Sequence, residues 1–378
     1  MLPVRAGRPT PEWSFELAGP KDDPDIRRLL ASSPMPGRVS VTFEREPNYF
    51  LGCGTMGHTY QVVVVRHRPS GDLAGIGCRA VQSRFINGRE ENVGYLSQLR
   101  VAPGFRGRWL VSHGFRLLRA LDADGHVAGY VTTIVEENRV ARGLLAARPR
   151  PHFPVYRQVD TLWTLALIVR GPQAAPPGPY QVRQGTRAEL GAIVAFLRWH
   201  GAAKQFFPAY TEADFLDSPL TLGFRVEDFV VAYQDGALVG ILGLWDQSAY
   251  KQTVVRGYRG LLRWAKPLYN VGAWLARFPA LPRPGQPVHA AYASFICVAD
   301  NTPEVFHALL GHVSRLAAAR GYHYLMVGLA ASDPLLPVAR ERPAIAYPSR
   351  LYTVCWKEAG DFHERLDRRV PYVEIAAL

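Results

Sequence analysis

A short loop rich in glycine and arginine carries the clearest chemical signal in the sequence. It reads APGFRGR over residues 102–108, between a predicted strand and a predicted helix over 107–121. The start of a helix exposes unpaired main-chain N–H groups and the positive end of the helix dipole. Arg106 and Arg108 add positive charge, and Gly107 lets a ligand approach the main chain closely. The combination predicts a pyrophosphate site, although a basic helix start with solvated arginines has the same pattern.

Three other segments have patterns that permit binding. GCGTMG at 52–57 fits the GxGxxG pattern of nucleotide-binding loops, but a strand follows it, which favours a flexible loop. GLWDQSAYKQ at 243–252 places polar residues at a strand end, where either a site or a simple turn is expected. Residues 256–278 mix cations with aromatic residues and repeat apolar residues at helical spacing. They predict an amphipathic helix that covers the sheet, or that docks on an anionic membrane or an acidic carrier protein.

The charge balance permits a phosphate-bearing partner without specifying one. The chain of 378 residues carries 44 Lys and Arg against 32 Asp and Glu, a net charge of +12. The cations are dispersed, and no dense basic run marks a tail that binds nucleic acid. The charge therefore does not favour a nucleic-acid partner over a nucleotide cofactor.

Composition and cysteine spacing indicate a globular protein of a reducing compartment. Hydrophobic residues make up 48% of the chain and charged residues 20%, which is ordinary for a protein that buries its own core. The four cysteines are widely spaced and form no CxxC pair, so neither a disulfide framework nor a metal site is predicted. No apolar run reaches the length of a spanning helix, and the N-terminus lacks a signal-peptide pattern. We expect a cytoplasmic protein without bound metal.

The predicted elements repeat in the same order in two halves of the chain. Each half reads as helix, hairpin, strand, helix, strand and closing strand, with a proline-rich linker over 171–179 between the halves. We therefore predict two tandem α/β domains over 1–170 and 180–378. Each is expected to have a mixed, mostly antiparallel central sheet flanked by helices. The second domain has an inserted segment over 256–287.

Two motifs of the first half resemble those of the GNAT acyltransferase superfamily. In that family a strand ending in Val-x-Pro leads through an aromatic residue and Arg-Gly-x-Gly-x-Gly or -Ala into a helix. An Asn-x-x-Ala-x-x-Leu-Tyr segment follows the next strand. The matching positions here are Val101, Pro103, Phe105, Arg106 and Gly107 for the first motif, and Asn138, Ala141 and Leu144 for the second. The resemblance covers about 13–170, and the element order extends it more weakly to 180–356.

The resemblance implies two tandem GNAT-like domains and an acyl-CoA cofactor, with acetyl-CoA expected first. In the family the thioester lies where two central parallel strands splay apart, and the amine acceptor attacks it directly. These strands are predicted here over 92–101 and 129–137. The positions implied for cofactor binding are Leu99, Arg100, Val101, Phe105, Arg106, Gly107, Arg108, Trp109, Leu110, Asn138 and Ala141.

The same splay implies candidates for catalysis and for acceptor binding. An amine nucleophile needs a base, directly or through water. The polar candidates at the strand ends are Glu136, Glu137 and Gln98. The acceptor is expected to be a small-molecule or peptide amine, and the residues implied for its binding are Arg45, Glu46, Asn48, Tyr49, Tyr95, Trp245 and Asp246. Solvated carboxylates and a loop packed by its own aromatic residues would leave the same pattern.

Four features depart from the family pattern. Trp109 and Val111 stand where the family has small residues, and Leu145 stands where many members carry a Tyr that protonates the leaving thiolate. After its central strand the second half reads DNTPE over 300–304, which is acidic where phosphates would lie. We therefore expect the second half not to bind coenzyme A in the usual way.

Three functions stay open on the sequence alone. An acyl-CoA-dependent N-acyltransferase is favoured because of the two motifs. Aminoacyl-tRNA-dependent ligases also use tandem domains of this fold, and a net charge of +12 suits a tRNA partner, but the cations are dispersed. A non-catalytic pair of domains that binds a ligand or a partner protein is favoured by Trp109, Val111 and Leu145.

Overall fold

The computed structural model describes residues 12–35, 37, 39–107, 109–146, 153–170, 178–260, 263–266, 270, 272–273, 279–356 and 362–378. The strands are β1 Trp13–Leu17, β2 Val39–Glu44, β3 Thr59–His67, β4 Leu73–Ile86, β5 Arg89–Val101, β6 Tyr130–Val135, β7 Val155–Ile168, β8 Gln181–Gln184, β9 Phe229–Gln234, β10 Ala237–Trp245, β11 Gln252–Tyr258, β12 Ala290–Val298, β13 Tyr324–Ala330 and β14 Ala344–Cys355. The α-helices with described bounds are α1 Asp23–Ala31, α2 Leu51–Gly54, α3 Leu110–Asp122, α4 Arg139–Leu145, α5 Leu190–Gly201, α6 Pro303–Ala319 and α7 Leu336–Arg340.

One mixed sheet of twelve strands runs through both halves of the chain. Its order is β1-β3-β4-β5-β6-β14-β7-β13-β12-β10-β9-β8. Two neighbouring pairs in it are parallel, β5 with β6 and β12 with β13, and the other pairs are antiparallel. The predicted class, a mixed and mostly antiparallel sheet flanked by helices, is confirmed.

The two halves exchange their closing strands. β14 comes from the second half and pairs with β6 of the first, while β7 comes from the first half and pairs with β13 of the second. β7 and β14 also pair with each other along their length, from Ala344 opposite Leu167 to Cys355 opposite Val155. The exchange pairs both edges of both strands, which removes the open edges that two separate sheets would expose. The sheet is therefore continuous across the linker that the sequence places between the halves.

A second, two-stranded sheet also joins the halves. β2 pairs antiparallel with β11, with Glu44 opposite Gln252 and Val41 opposite Val255. The sequence analysis missed both strands, because it interpreted 43–50 as a loop and 256–278 as helical. The segment from Arg256 to Tyr258 is instead the end of β11.

The cores lie between the large sheet and the helices of each half. In the first half Ile26 and Leu30 of α1 are fully buried beside residues of β3 and β4. In the second half Phe306 and Leu309 of α6 are fully buried against the sheet. None of the helices within the described residues has the length and hydrophobicity to span a bilayer.

The last residues of the chain lie on the sheet of the second half. Ile375 packs directly over Gly328 of β13, where an added Cβ would lie 2.0 Å from Cγ2 of Ile375. Lys251 Nζ donates a hydrogen bond to the carbonyl of Ala376 at 2.9 Å. These contacts hold the closing segment, residues 371–378, against the second half.

Candidate functional site

The first half contains a gap between its two parallel strands. β5 and β6 pair at Gly94 with Tyr130 and at Tyr95 with Val131, and then diverge. The Thr132 hydroxyl donates to the carbonyl of Leu96 at 2.7 Å, which closes the narrow end of the gap. Beyond this point the main-chain groups of β5 and β6 face each other without pairing, as the resemblance implied.

A β-bulge in β5 lies on one wall of the gap. Gln98 has a left-handed conformation with φ 56°, and the pairing with β4 shifts register between Cys78 opposite Ser97 and Ile76 opposite Arg100. Such a bulge turns main-chain N–H groups away from the ladder. Across from it, a Cβ added to Gly77 of β4 would have no described atom within 4 Å. The face of the sheet over Gly77 is therefore open beside the bulge.

An aromatic ring lies over the paired residues at the narrow end of the gap. The Tyr130 ring lies directly on Gly94, where an added Cβ would be 2.1 Å from the ring. Arg79 Nε donates to the Tyr130 hydroxyl at 2.8 Å, and this hydroxyl donates to Asp122. Because the ring is held by two partners, the space beyond the narrow end of the gap is closed.

The start of α3 has the geometry of an anion site. Gly107 has φ 80°, and an added Cβ would meet no described atom within 4 Å, so the main chain there is open to a ligand. Among the described residues, no side chain caps the N-terminus of the 13-residue helix α3. The exposed Arg106 lies just before it. Unpaired N–H groups, the helix dipole and this cation together suit a phosphate group.

The neighbouring positions anchor the loop rather than contact a ligand directly. Phe105 packs edge-on against Trp13, with ring centroids 5.5 Å apart. Leu110 is buried in the same cluster, and Val101 packs against it. Leu99 is more than a third exposed, and Arg108 lies outside the described residues.

Trp109 is the most unusual residue of the loop. It forms the N-cap of α3 in the left-handed region, with φ 59° and ψ 7°, and its side chain is 78% exposed. A bulky residue rarely adopts this conformation because its Cβ crowds the main chain. The backbone thus keeps a shape that suits glycine, the residue that the resemblance implies here.

The proposed bases occupy different environments. Glu136 accepts a bidentate pair from Arg350, at 2.5 and 2.9 Å, and a further ion pair from Arg142 at 3.0 Å. The hydrogen bonds from Arg350 are the main reason why the pKa of Glu136 lies below its usual range. This carboxylate is therefore a weak proton acceptor. Glu137 is exposed at the end of β6, and Asn138 caps α4 by accepting from the N–H of Ala141 at 3.0 Å.

Two of the acceptor candidates serve the local fold. The Glu46 side chain is paired with Arg27, and its main chain bonds the side chain of Gln252. Asn48 accepts from the N–H of Phe50 at 2.8 Å, which forms a tight turn. The structure brings neither side chain to the gap.

Three other acceptor candidates lie together in the interior. Arg45 is 3% exposed, Tyr49 is fully buried and Tyr95 is 7% exposed. The Arg45 guanidinium lies over the Tyr49 ring at 5.2 Å, and Tyr95 is the last residue of β5 that pairs with β6. Burial raises the pKa of Tyr95 to about 12, so its hydroxyl keeps its proton.

Partly accessible side chains of both halves lie beside these residues, and we infer a cleft there. Burial is the main cause of three pKa shifts here. It raises the pKa of Tyr292, raises that of Tyr347 to about 12, and lowers that of Arg100. All three nevertheless keep some accessible surface. Side chains that are deep in a protein yet touch solvent line an interior cleft. The sequence analysis missed Tyr292 and Tyr347, because only the strand exchange brings β14 and β12 towards the first half.

Lys251 is a fourth residue of this cleft. Burial, together with the positive charge of Arg45, lowers the pKa of Lys251 to about 7. Its ammonium lies 5.4 Å from the centre of the Tyr292 ring. The sequence placed Lys251 in a polar cluster at a strand end, but gave no sign that this cluster faces the first half.

Replacing Lys251 by Met should stabilise the folded protein more at pH 6 than at pH 10. The folded pKa lies below that of an unfolded lysine, so between these values the unfolded state binds more protons. The contribution of the native lysine to folding is full above about pH 10.4 and is lost as the pH falls to about 7. The melting temperatures of the native and Lys251→Met proteins, compared at pH 6, 8 and 10, measure this. Lys21→Met, at an exposed position, controls for the loss of one cation, and a difference that does not change with pH would contradict the expectation.

The corresponding gap in the second half is filled by the chain itself. β12 also has a bulge, at Phe295 with φ 57°, beside its parallel partner β13. The Phe295 N–H donates to Glu374 at 2.7 Å, and the N–H of Ile296 donates to the Tyr372 hydroxyl at 3.2 Å. In the first half no side chain among the described residues bonds the N–H of Gln98, so the two bulges differ in what they meet.

The two acceptor candidates of the second half lie away from the first-half gap. Trp245 is 1% exposed, its ring stacks on Phe295 at 5.5 Å, and its indole donates to the carbonyl of Leu222. It is a core residue. Asp246 accepts from the N–H of Ser248 at 2.8 Å in the turn that follows β10. Much of the predicted amphipathic helix, including 267–269 and 274–278, lies outside the described residues.

Solved structures with the same architecture include several N-acyltransferases. N-myristoyltransferase of Saccharomyces cerevisiae, with bound myristoyl-CoA, gives a TM-score of 0.60 at 10% identity over 93% of this chain and 84% of that chain. A GCN5-related N-acetyltransferase from Sphaerobacter thermophilus gives 0.55 at 14% identity over 97% and 99%. A glucosamine N-acetyltransferase region of a fungal multi-domain β-N-acetylglucosaminidase gives 0.58 at 13% identity over 91% and 38%. No family model and no curated protein sequence matches the chain. The GNAT-type fold that the two motifs implied is confirmed.

Proposed function

We propose that this chain of GNAT-type fold is an acyl-CoA-dependent N-acyltransferase with one active site, in the first half. The observation that carries the proposal is the open gap between β5 and β6. It lies between a bulge at Gln98 and the uncapped start of α3. The solved structures of similar architecture support it, because those proteins are N-acyltransferases.

The residues of the first half fit coenzyme A. The N–H groups at the start of α3, with Arg106 and Gly107, would hold the pyrophosphate. The gap between β5 and β6 would leave room for the pantetheine end beside the bulge. The N–H groups around Gln98 would hold the thioester oxygen. When bound, the thioester supplies the acyl group, which leaves sulfur as it bonds to the acceptor nitrogen.

We propose acetyl as the acyl group. The Tyr130 ring lies on Gly94 at the narrow end of the gap and is held there by Arg79 and Asp122. A longer chain that continued beyond the gap in this direction would have to displace this ring. A short acyl group would end before the hydrogen bond between Thr132 and Leu96 that closes the gap.

The acceptor amine would enter through the cleft that both halves line. We propose that Glu137, exposed at the end of β6, takes the amine proton through water. Glu136 is less suited because two arginines hold it as an ion pair. Leu145 is buried in a core cluster, so this position gives no proton to the thiolate, and we propose that water does.

Replacing Arg106 by Glu should weaken the binding of coenzyme A and acetyl-CoA by a factor of roughly 10 to 100. A charge-assisted hydrogen bond contributes about 1.5–3 kcal/mol, and the variant also places a negative charge beside the phosphates. Isothermal titration of the native and variant proteins measures the change. Arg187→Glu, at an exposed site that follows the far edge strand β8, is the control of equal charge.

Two outcomes of this titration are decisive. Equal loss of binding in Arg106→Glu and Arg187→Glu would mean that net charge, and not the start of α3, holds the ligand. No binding by the native protein, with the fold intact by circular dichroism, would overturn the proposed function. Release of free thiol from acetyl-CoA in the presence of primary amines then tests transfer itself.

A further inference from the structure

Two cations meet where the two halves join. In the ribbon of β2 and β11, Glu44 lies opposite Gln252. The next residues along the two antiparallel strands are Arg45 and Lys251, which places them side by side at the end of the ribbon. The positive charge of Arg45 lowers the pKa of Lys251, second only to burial, as this arrangement requires.

Arg45 has no anionic partner among the described residues. Its guanidinium donates to two sulfur atoms, Sγ of Cys53 at 3.5 Å and Sδ of Met56 at 3.7 Å, and lies over the Tyr49 ring. Sulfur is a weak acceptor. A side chain that is 3% exposed therefore holds a full charge with weak compensation, which is costly unless a ligand supplies the missing anion.

Two other buried cations of the chain have a carboxylate partner, whereas, among the described residues, the buried Arg84 bonds only the carbonyl of Phe206. Lys204 is paired with Asp333 at 2.9 Å, and Arg79 with Asp124 at 3.2 Å. The carboxylate nearest to this cluster along the closing segment is that of Glu374, which accepts from the N–H groups of Phe295 and Ala376. Glu374 thus serves the second-half bulge and is not paired with Arg45.

We infer that Arg45 and Lys251 form a carboxylate subsite and that the acceptor is a primary amine that carries a carboxylate, as an amino acid or peptide does. The inference rests on the proposed function for the amine, but its anion-binding part stands on the cluster alone. The Arg45 guanidinium offers a planar pair of donors that matches a carboxylate. Lys251 keeps some accessible surface and supplies a second donor at the rim.

The charge of the cluster suits a monoanion. Arg45 is always charged, whereas a lysine with pKa about 7 is charged about half the time at neutral pH. One carboxylate would neutralise the first cation and draw a proton onto the second. The ring of Tyr292, whose centre lies 5.4 Å from the Lys251 ammonium, adds an apolar wall.

The test is thermal unfolding of the whole protein with matched neutral and anionic probes. The probes are N-acetylglycine, N-acetylleucine and N-acetylphenylalanine, each paired with its amide. At a concentration well above the dissociation constant, at least one acid should raise the melting temperature by roughly 2 °C or more, and its amide should not. Arg45→Met should abolish this shift, and Lys251→Met should reduce it.

The variants also separate a binding role from a structural one. If the charge of Arg45 is compensated only when a ligand binds, Arg45→Met removes an uncompensated charge. The ligand-free variant should then melt at the same or a higher temperature than the native protein. Arg45→Lys should keep part of the response to the acid. A lower melting temperature for Arg45→Met, or no difference between any acid and its amide in the native protein, would overturn the inference. Because coenzyme A is absent from this assay, that result would leave the proposed cofactor site to its own titration.

Discussion

Replacing Gly94 by Ala should lower the free energy of unfolding by about 3 kcal/mol, near the upper end of the usual cost of overpacking. An added Cβ would lie 2.1 and 2.3 Å from two atoms of the Tyr130 ring. The ring is held by Arg79 and Asp122 and is 1% exposed, so it has no free space to turn into. The strands would have to separate at the only two residue pairs that join β5 to β6 within the described chain. Thermal or urea unfolding measures the loss.

Gly77→Ala is the matched control in the neighbouring strand β4. Its added Cβ would meet no described atom within 4 Å, and its φ is not positive. The stability of Gly77→Ala should therefore equal or slightly exceed that of the native protein, because alanine has less conformational entropy to lose than glycine. Equal stability of Gly94→Ala and Gly77→Ala would show that the Tyr130 ring does not close the gap as described.

The two halves use the same local geometry for different purposes. Each has a parallel strand pair and a bulge with a left-handed residue, Gln98 in one and Phe295 in the other. In the second half the closing segment supplies Glu374 and Tyr372 as acceptors, and the bulge becomes part of the core. A bulge can assist catalysis only if its N–H groups remain available to bind a ligand. This asymmetry is the structural reason to propose one active site rather than two.

The local elements of the site were predictable from the sequence. The spacing of Leu110, Leu117 and Leu118 predicted α3, and the structure buries all three. The loop before α3 was found because Arg and Gly at a helix start have a direct physical meaning. Asn138 caps α4 through the N–H of Ala141, which explains the spacing of the second motif in purely structural terms.

Contacts between residues far apart in the sequence were not predictable. Glu136 was a reasonable base until the strand exchange placed Arg350, 214 residues away, against its carboxylate. Arg45 and Lys251 become neighbours only through the pairing of β2 with β11. A periodic pattern indicates which face of a strand is buried, but it carries no information about which distant strand pairs with it.

The second large effect is expected at Trp109, where the main chain has a conformation that glycine adopts without strain. A residue other than glycine costs roughly 1–2 kcal/mol in this region, and φ is 59° here. Trp109→Gly should therefore raise the free energy of unfolding by up to about 1 kcal/mol, since glycine also loses more entropy on folding. It should also lower the dissociation constant of coenzyme A by about tenfold, because the change removes a bulky side chain at the proposed phosphate site.

Trp109→Ala separates the ring from the backbone. Alanine removes the indole but keeps a Cβ in the left-handed region, so it should share the tighter binding without the full gain in stability. Titration calorimetry with coenzyme A and thermal unfolding of the three proteins measure the two effects independently. Weaker binding in both variants would mean that the indole, 78% exposed beside Gly107, contacts the coenzyme itself. Tighter binding in both would mean that the departure from the family pattern at this position lowers cofactor affinity without abolishing the site.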